Sequence, residues 1–224
     1  MRKTSACILL AMLAVVYFTW APHMDVPAAA HREMLIIVDT HALTLTLYEN
    51  KQPVKQYPVA VGQWNMPTPI GVFTITRRFI PQGNDFGTRF LGLSIPWGQY
   101  GIHGTNNPGS IGSHASHGCI RMFNRDVEEL YRMVFVGTKV IIEGGPYGEL
   151  GDSLTTIKPG ELGSKVRAIQ RKLRALGYYT GTPDGRYGPA TSRALLNFKK
   201  AQKIPPIDIV DWETYQALEL TLFE

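Results

Sequence analysis

The sequence predicts a mainly β domain followed by a small all-α domain of three helices. Three observations carry that prediction. Apolar residues recur with period two between Met34 and Thr76, as half-buried strands require, and from Ser164 onward they recur with helical spacing. The charged fraction is only 18% while Gly (22) and Pro (15) are plentiful, which favours a β-rich, loop-rich fold over one of long helices. A chain of 224 residues with 44% hydrophobic content has room for two modest cores, so general disorder is not expected.

The elements follow in order. Arg2 and Lys3 precede an apolar run from Cys7 to Trp20, and Ala28-Ala29-Ala30 makes a small-residue cleavage pattern, so residues 1–30 have the layout of a secretory signal. An uncleaved membrane anchor is the alternative, although the run is shorter than the ~20 residues a span prefers. Leu35-Ile36-Ile37-Val38 is a continuous apolar strand, and Leu43, Leu45 and Leu47 alternate with polar residues in a second strand. A turn at Glu49–Gln52 leads to a strand from Val54 to Val61, completing a hairpin that ends at Gly62. Pro67-Thr68-Pro69-Ile70-Gly71 is a rigid turn before a strand at Val72–Thr76. Residues 77–101 show no clear period and are expected to form a long loop, a lid or substrate wall. Asn124 is expected to cap a helix bearing Val127, Leu130, Tyr131 and Val134, and Val140–Ile142 to close the domain as a strand.

Residues 145–160 form a linker by composition. Ser164 is expected to cap a first helix with Val166, Ile169, Leu173 and Leu176 on one face, stopped by Gly177. Asp184-Gly185 is a turn, Pro189 starts a second helix with Ala194, Leu195 and Phe198, and Asp211 opens a third with Trp212, Tyr215 and Leu218 inward. Arg77-Arg78 and Lys199-Lys200 read as solvated faces.

Chemistry concentrates in Ile102-His103-Gly104-Thr105 and in Ser113 to Arg121, where three of the six histidines lie beside Cys119. Removal of the signal would leave Cys119 as the sole thiol, unable to form an internal disulfide. A thiol nucleophile needs an imidazole to take its proton, and amides around a glycine can hold the oxyanion of acyl transfer. Gly118 before Cys119 permits the tight turn that would aim sulfur and amides at one substrate atom. His114 has no place in this pattern and reads as a polar loop residue.

This segment resembles the active site of the L,D-transpeptidase (YkuD-type) family, whose pattern is His-Gly, a loop, then Ser/Thr-His-Gly-Cys, a hydrophobic residue and Asn or Arg. Here those positions are His103-Gly104 and Ser116-His117-Gly118-Cys119-Ile120-Arg121. The resemblance runs from about Met34 to Gly144, including the Thr68–Gly71 turn, and implies a β-sandwich-like catalytic domain over 34–144. It implies that Cys119 attacks the carbonyl before the terminal D-Ala of a tetrapeptide stem, with His103 as general base oriented by the Gly104 carbonyl. Amides of His117, Gly118 and Cys119 would form the oxyanion hole, and Arg121, Ser116 and Gly104 would lie on the substrate side. An amine of another stem resolves the acyl-enzyme in a transpeptidase, and water does so in an L,D-carboxypeptidase.

Residues 161–222 resemble a three-helix peptidoglycan-binding module, on Val166, Ile169-Gln170, Leu173, Leu176-Gly177-Tyr178-Tyr179, Asp184 to Pro189, Thr191, Phe198 and Trp212. The sequence departs from that family at Lys199, where Gln is usual, and at Pro205-Pro206-Ile207. Tyr178, Tyr179 and Tyr187 are equally suited to ligand stacking and to core packing. All motif residues precede the linker, so the module is expected to be dispensable for turnover of small soluble fragments. The net charge of +5 and pI near 9.2 suit a polyanion, and with the motif they point to peptidoglycan stem peptides and glycan, not nucleic acid. No cofactor or metal is expected. A monomer is expected, outside the cytoplasm and associated with the wall, with membrane association if the N-terminal segment is retained. A zinc hydrolase using His103, His114, His117 and Cys119, and a non-catalytic wall anchor, are the alternatives from other classes.

Overall fold

The computed structural model describes residues 32–83 and 85–221, and the proposed signal at 1–30 lies outside them. Strands β1 (Met34–Asp39) and β2 (Thr44–Glu49) form an antiparallel hairpin with Ile36 opposite Leu47 and Val38 opposite Leu45. All four side chains are fully buried, each stabilising the fold by about 1.5–3 kcal/mol on leaving water. Strand β3 (Gln52–Pro58) adds to β2 and is exposed along most of its length, as an edge strand carrying Pro53 and Pro58 can be. The strand expected over Val54–Val61 therefore stops at Pro58. Val61–Gly62 (β4) instead pairs in parallel with His114–Ser116 (β8) as a separate two-stranded sheet.

The remaining strands are β5 (Gly71–Phe79), β6 (Phe90–Leu93), β7 (Gly101–Gly104), β9 (Ile120–Met122) and β10 (Lys139–Glu143). They join the first three in one sheet of order β3-β2-β1-β10-β5-β6-β7-β9. At its far end Ala60 bridges Arg121 of β9 while Val59 donates to the Leu43 carbonyl. The segment after β3 thus links the two ends of the ladder and curls the sheet toward a barrel, which protects its edge. The long loop expected over 77–101 is corrected by this topology, because it contains the end of β5 and all of β6. Every residue of β6 is buried, so the strand has no alternation to reveal it.

Helix α1 (Asn124–Met133) packs Val127 and Leu130 against the sheet. Asn124 does not cap it: Phe123 holds the cap position, and Asn124 Oδ1 accepts from the Thr88 amide at 3.1 Å, tying the loop before β6 to the helix start. Arg78 is not a solvated charge either, since its guanidinium lies 4.1 Å from the Tyr131 ring centre and donates to the Tyr131 carbonyl.

The C-terminal helices α2 (Ser164–Ala175), α3 (Pro189–Ala201) and α4 (Trp212–Ala217) enclose a second core of Val166, Ile169, Leu173, Leu195, Phe198 and Tyr215. Leu150 and Ile157, from the span read as linker, are buried in the same core. Ser164 is the first residue of α2, with Gly163 at the cap, whereas Asp211 caps α4 through a capping box with Thr214. Leu176 and Trp212 are 45% and 56% exposed, not inward-facing as their spacing suggested. Lys199 is fully buried, and its Nζ reaches Asp211 Oδ2 at 3.2 Å, correcting its reading as a solvated face. Tyr179 and Tyr187 are core residues, and Tyr178 packs edge-on against Phe198. Among the described residues no helix is long and apolar enough to cross a membrane.

Candidate active site

The parallel pairing of β7 with β9 organises the site. Ile102 lies beside Ile120, and both point into the core. The neighbouring pair, His103 and Arg121, therefore points to the opposite face. The charge of Arg121 acts on both His103 and Cys119, and the Cys119 thiol lies by the Gly101 amide, so two segments separated by a long excursion meet at β7. Cys119 is a free, part-buried thiol.

The turn leading to Cys119 is built by Ser116. Its side chain is fully buried; the hydroxyl donates to the Cys119 carbonyl at 2.5 Å and accepts from the Gly118 amide at 3.1 Å. Ser116 is therefore engaged by the backbone of the loop it holds. The Gly118 amide is equally committed, while the amides of His117 and Cys119 have no acceptor among the described residues. Gly118 sits at φ +104°, and a Cβ there would lie 2.6 Å from the Tyr100 ring, so neither the turn nor its packing tolerates a side chain. The His117 side chain is exposed.

His103 is 3% exposed and lies in an aromatic enclosure. Phe90 stacks on it at 5.9 Å between ring centres, and Phe86 meets it edge-on at 5.1 Å. Its Nδ1 is 2.6 Å from the Gly104 carbonyl, which makes that nitrogen the N–H donor and leaves Nε2 basic. Gly104 is buried and contributes this carbonyl. Burial holds the His103 pKa below the ordinary imidazole value, aided by the charge of Arg121 and opposed by the carbonyls of Gly104 and Phe86. Burial likewise pushes the Cys119 thiol up, against the Gly101 amide and the Arg121 charge, which favour the thiolate.

Tyr100 entered the sequence reading only as the first residue of the Tyr100–Thr105 strand end that shares in the resemblance, and Trp97 and Phe86 around this site were not singled out. They lie in the aperiodic stretch, and only their contacts with Gly118, Tyr100 and His103 respectively mark them. His114 is not a plain loop residue: it stacks on Trp64 at 4.2 Å, with Nδ1 3.2 Å from the Gly62 carbonyl. Among the described residues no group of three or more His, Cys, Asp or Glu side chains converges as metal ligands would, so His103, His114, His117 and Cys119 do not form a zinc set.

Residues 33–142 match the sequence pattern of the L,D-transpeptidase catalytic domain, YkuD, and residues 163–218 that of a peptidoglycan binding domain. Over 122 residues the chain is 34% identical to the Bacillus subtilis protein named L,D-transpeptidase YqjB, an alignment covering 48% of this chain and 69% of that protein. The chain belongs to the YkuD-type L,D-transpeptidase family. The Bacillus licheniformis family member named YkuD is 51% identical over 107 residues, 48% of this chain. The chain spans 64% of the length of that relative. A solved L,D-transpeptidase from Mycobacterium smegmatis aligns at 24% identity with a TM-score of 0.45, covering 50% of this chain and 59% of that one.

Proposed function

We propose that this family member is a peptidoglycan L,D-transpeptidase acting outside the cytoplasm through an acyl-enzyme on Cys119. The observation that carries the reading is the parallel pairing of β7 with β9, which sets Arg121 where its charge acts on both His103 and Cys119, with His103 Nδ1 committed to the Gly104 carbonyl. Nε2 takes the thiol proton as sulfur attacks the carbonyl carbon before the terminal D-Ala of a tetrapeptide stem. The imidazolium so formed keeps the Gly104 carbonyl as acceptor for its Nδ1–H, and the Phe86 carbonyl also favours the charge that burial opposes. The amides of His117 and Cys119 receive the oxyanion. Collapse breaks the C–N bond, His103 returns the proton to the departing amine, and D-Ala leaves. An acceptor amine from a second stem then attacks the thioester, gives its proton to His103 and restores the thiol. Arg121, with its charge felt by both His103 and Cys119, is suited to hold the terminal carboxylate of the donor. The C-terminal module would keep the enzyme on its polymeric substrate.

The test is mass spectrometry of the full-length protein with purified disaccharide-tetrapeptide. The expected result is release of D-Ala, a thioester adduct at Cys119, and cross-linked dimers when an amine acceptor is supplied. Tripeptide alone in the presence of acceptor would assign the protein to the hydrolytic L,D-carboxypeptidases. No adduct and no D-Ala would overturn the acyl-enzyme reading.

A further inference from the structure

The C-terminal module is not tethered loosely to the catalytic sheet; it is packed on the side from which Cys119 is positioned. Gln170, fully buried in α2, fixes the Asp184–Arg186 turn: its Oε1 accepts from the Gly185 amide at 2.8 Å, and its Nε2 donates to Asp184 Oδ1 at 2.9 Å and the Arg186 carbonyl at 3.0 Å. That turn is pressed onto the catalytic domain. A Cβ on Gly185 would lie 2.4 Å from Trp97 Cε3, and Arg186 Nη2 donates to the Pro96 carbonyl at 3.3 Å. Phe73 also meets Trp97 edge-on at 6.2 Å and carries the Arg167 guanidinium of α2 on its face at 5.1 Å.

Trp97 in turn backs Tyr100. Tyr100 packs against the core that contains Trp97, and burial and the nearby Cys119 raise the phenol's pKa while the indole lowers it. The Tyr100 ring leaves room at Gly118 for no side chain. A second path reaches the same turn: the Ile70 amide donates to Ser164 Oγ of α2 at 2.8 Å, and in that Pro67–Gly71 segment the Pro67 carbonyl lies 3.3 Å from where a Gly118 Cβ would be. Both walls of the turn that presents Cys119 are thus braced by the C-terminal module.

We infer that docking of the Asp184–Arg186 turn onto Trp97 holds Tyr100 against Gly118 and so sets the geometry and access of Cys119, which makes Trp97 a positioning residue and the module a part of the active site's support. This rests on Cys119 being the nucleophile, and it reverses the expectation that the module is dispensable for small substrates. A displacement of the nucleophile by about 1 Å costs on the order of 10²-fold in rate.

The test uses full-length protein with two readouts: acylation of Cys119 by soluble disaccharide-tetrapeptide, and the pH profile of Cys119 alkylation by iodoacetamide. Gly185→Val, which drives a side chain into Trp97, and Trp97→Ala should each slow acylation by about 10–100-fold and move the alkylation profile to lower pH as the thiol gains solvent. Trp97→Phe, which keeps a ring between Gly185 and Tyr100, should recover most of the rate. Trp97→Ala combined with Tyr100→Ala should shift the profile no further than Tyr100→Ala alone, because the two act in series. Gly185→Val and Trp97→Ala proteins that are folded by circular dichroism yet keep wild-type acylation and alkylation would overturn the inference, as would additive shifts in the double variant. Alkylation requires no peptidoglycan chemistry, so coupled alkylation shifts in a protein that never reacts with muropeptide would sink the proposed function and leave this inference standing.

Discussion

At the scale of single residues, the division proposed between His103 and His117 rests on environment. His103 is enclosed by Phe86 and Phe90 with one nitrogen anchored, whereas His117, two residues from Cys119, is exposed. His103→Ala is expected to lower Cys119 acylation by about 10²–10⁴-fold, the scale of a lost general base. His117→Ala should retain most of that rate, because its amide survives the substitution. The pH dependence has a definite sign. Burial lowers the His103 pKa, so the ring stays neutral and able to accept a proton until the pH falls below the ordinary value of 6.5. Burial raises the Cys119 pKa, so base-independent alkylation should climb only above the ordinary thiol value of 9.0. Acylation rates measured from pH 4 to 10 should therefore show an acid limb below about 6.5 that is absent in His103→Ala. An acid limb that persists in His103→Ala and vanishes in His117→Ala would transfer the base to the other histidine.

At the scale of elements, α3 and α4 are locked by a pair that their sequence disguised. Lys199 follows the inward Phe198 and precedes Lys200, so it reads as part of a charged face; in the structure it is buried and meets the residue that caps α4. Burial alone would raise the Asp211 pKa, but hydrogen bonds from Thr214 and Lys199 outweigh it and bring it below the ordinary carboxylate value. A depressed carboxylate pKa contributes stability that is present above the unfolded value and is lost as the pH falls through the folded one. Asp211→Ala strands Lys199 and removes the cap, so it should destabilise the protein by about 3 kcal/mol or more. Lys199→Met, which fills the same volume without charge, should be far milder. Urea melts at pH 7 decide this, and equal losses in the two variants would show that burial of the amine imposes no penalty on Asp211→Ala.

At the scale of the whole molecule, two cores meet through Ile70–Ser164, Trp97–Gly185 and Phe73–Arg167. Residues 32–221 are expected to unfold in a single calorimetric transition, and two separable transitions would show the modules to be independent. The strands and helices with one buried face were legible in the sequence: Leu45 and Leu47 by alternation, Val166, Ile169 and Leu173 by helical spacing, and Asp211 as a cap. The sequence alone also singled out His103, Gly118 and Cys119 as the candidate chemistry, because they stand in the pattern by which this segment resembles the family. Strand β6 was hidden because a strand buried on both faces has no period, and Lys199 because a buried charge is chosen by a partner distant in sequence. Only the tertiary structure decided that Ser116 builds the turn, that Tyr100 and Trp97 back it, and that the C-terminal module braces them. Those roles depend on contacts across long separations, such as Gly185 with Trp97, and no local pattern encodes which surface a folded module will press against.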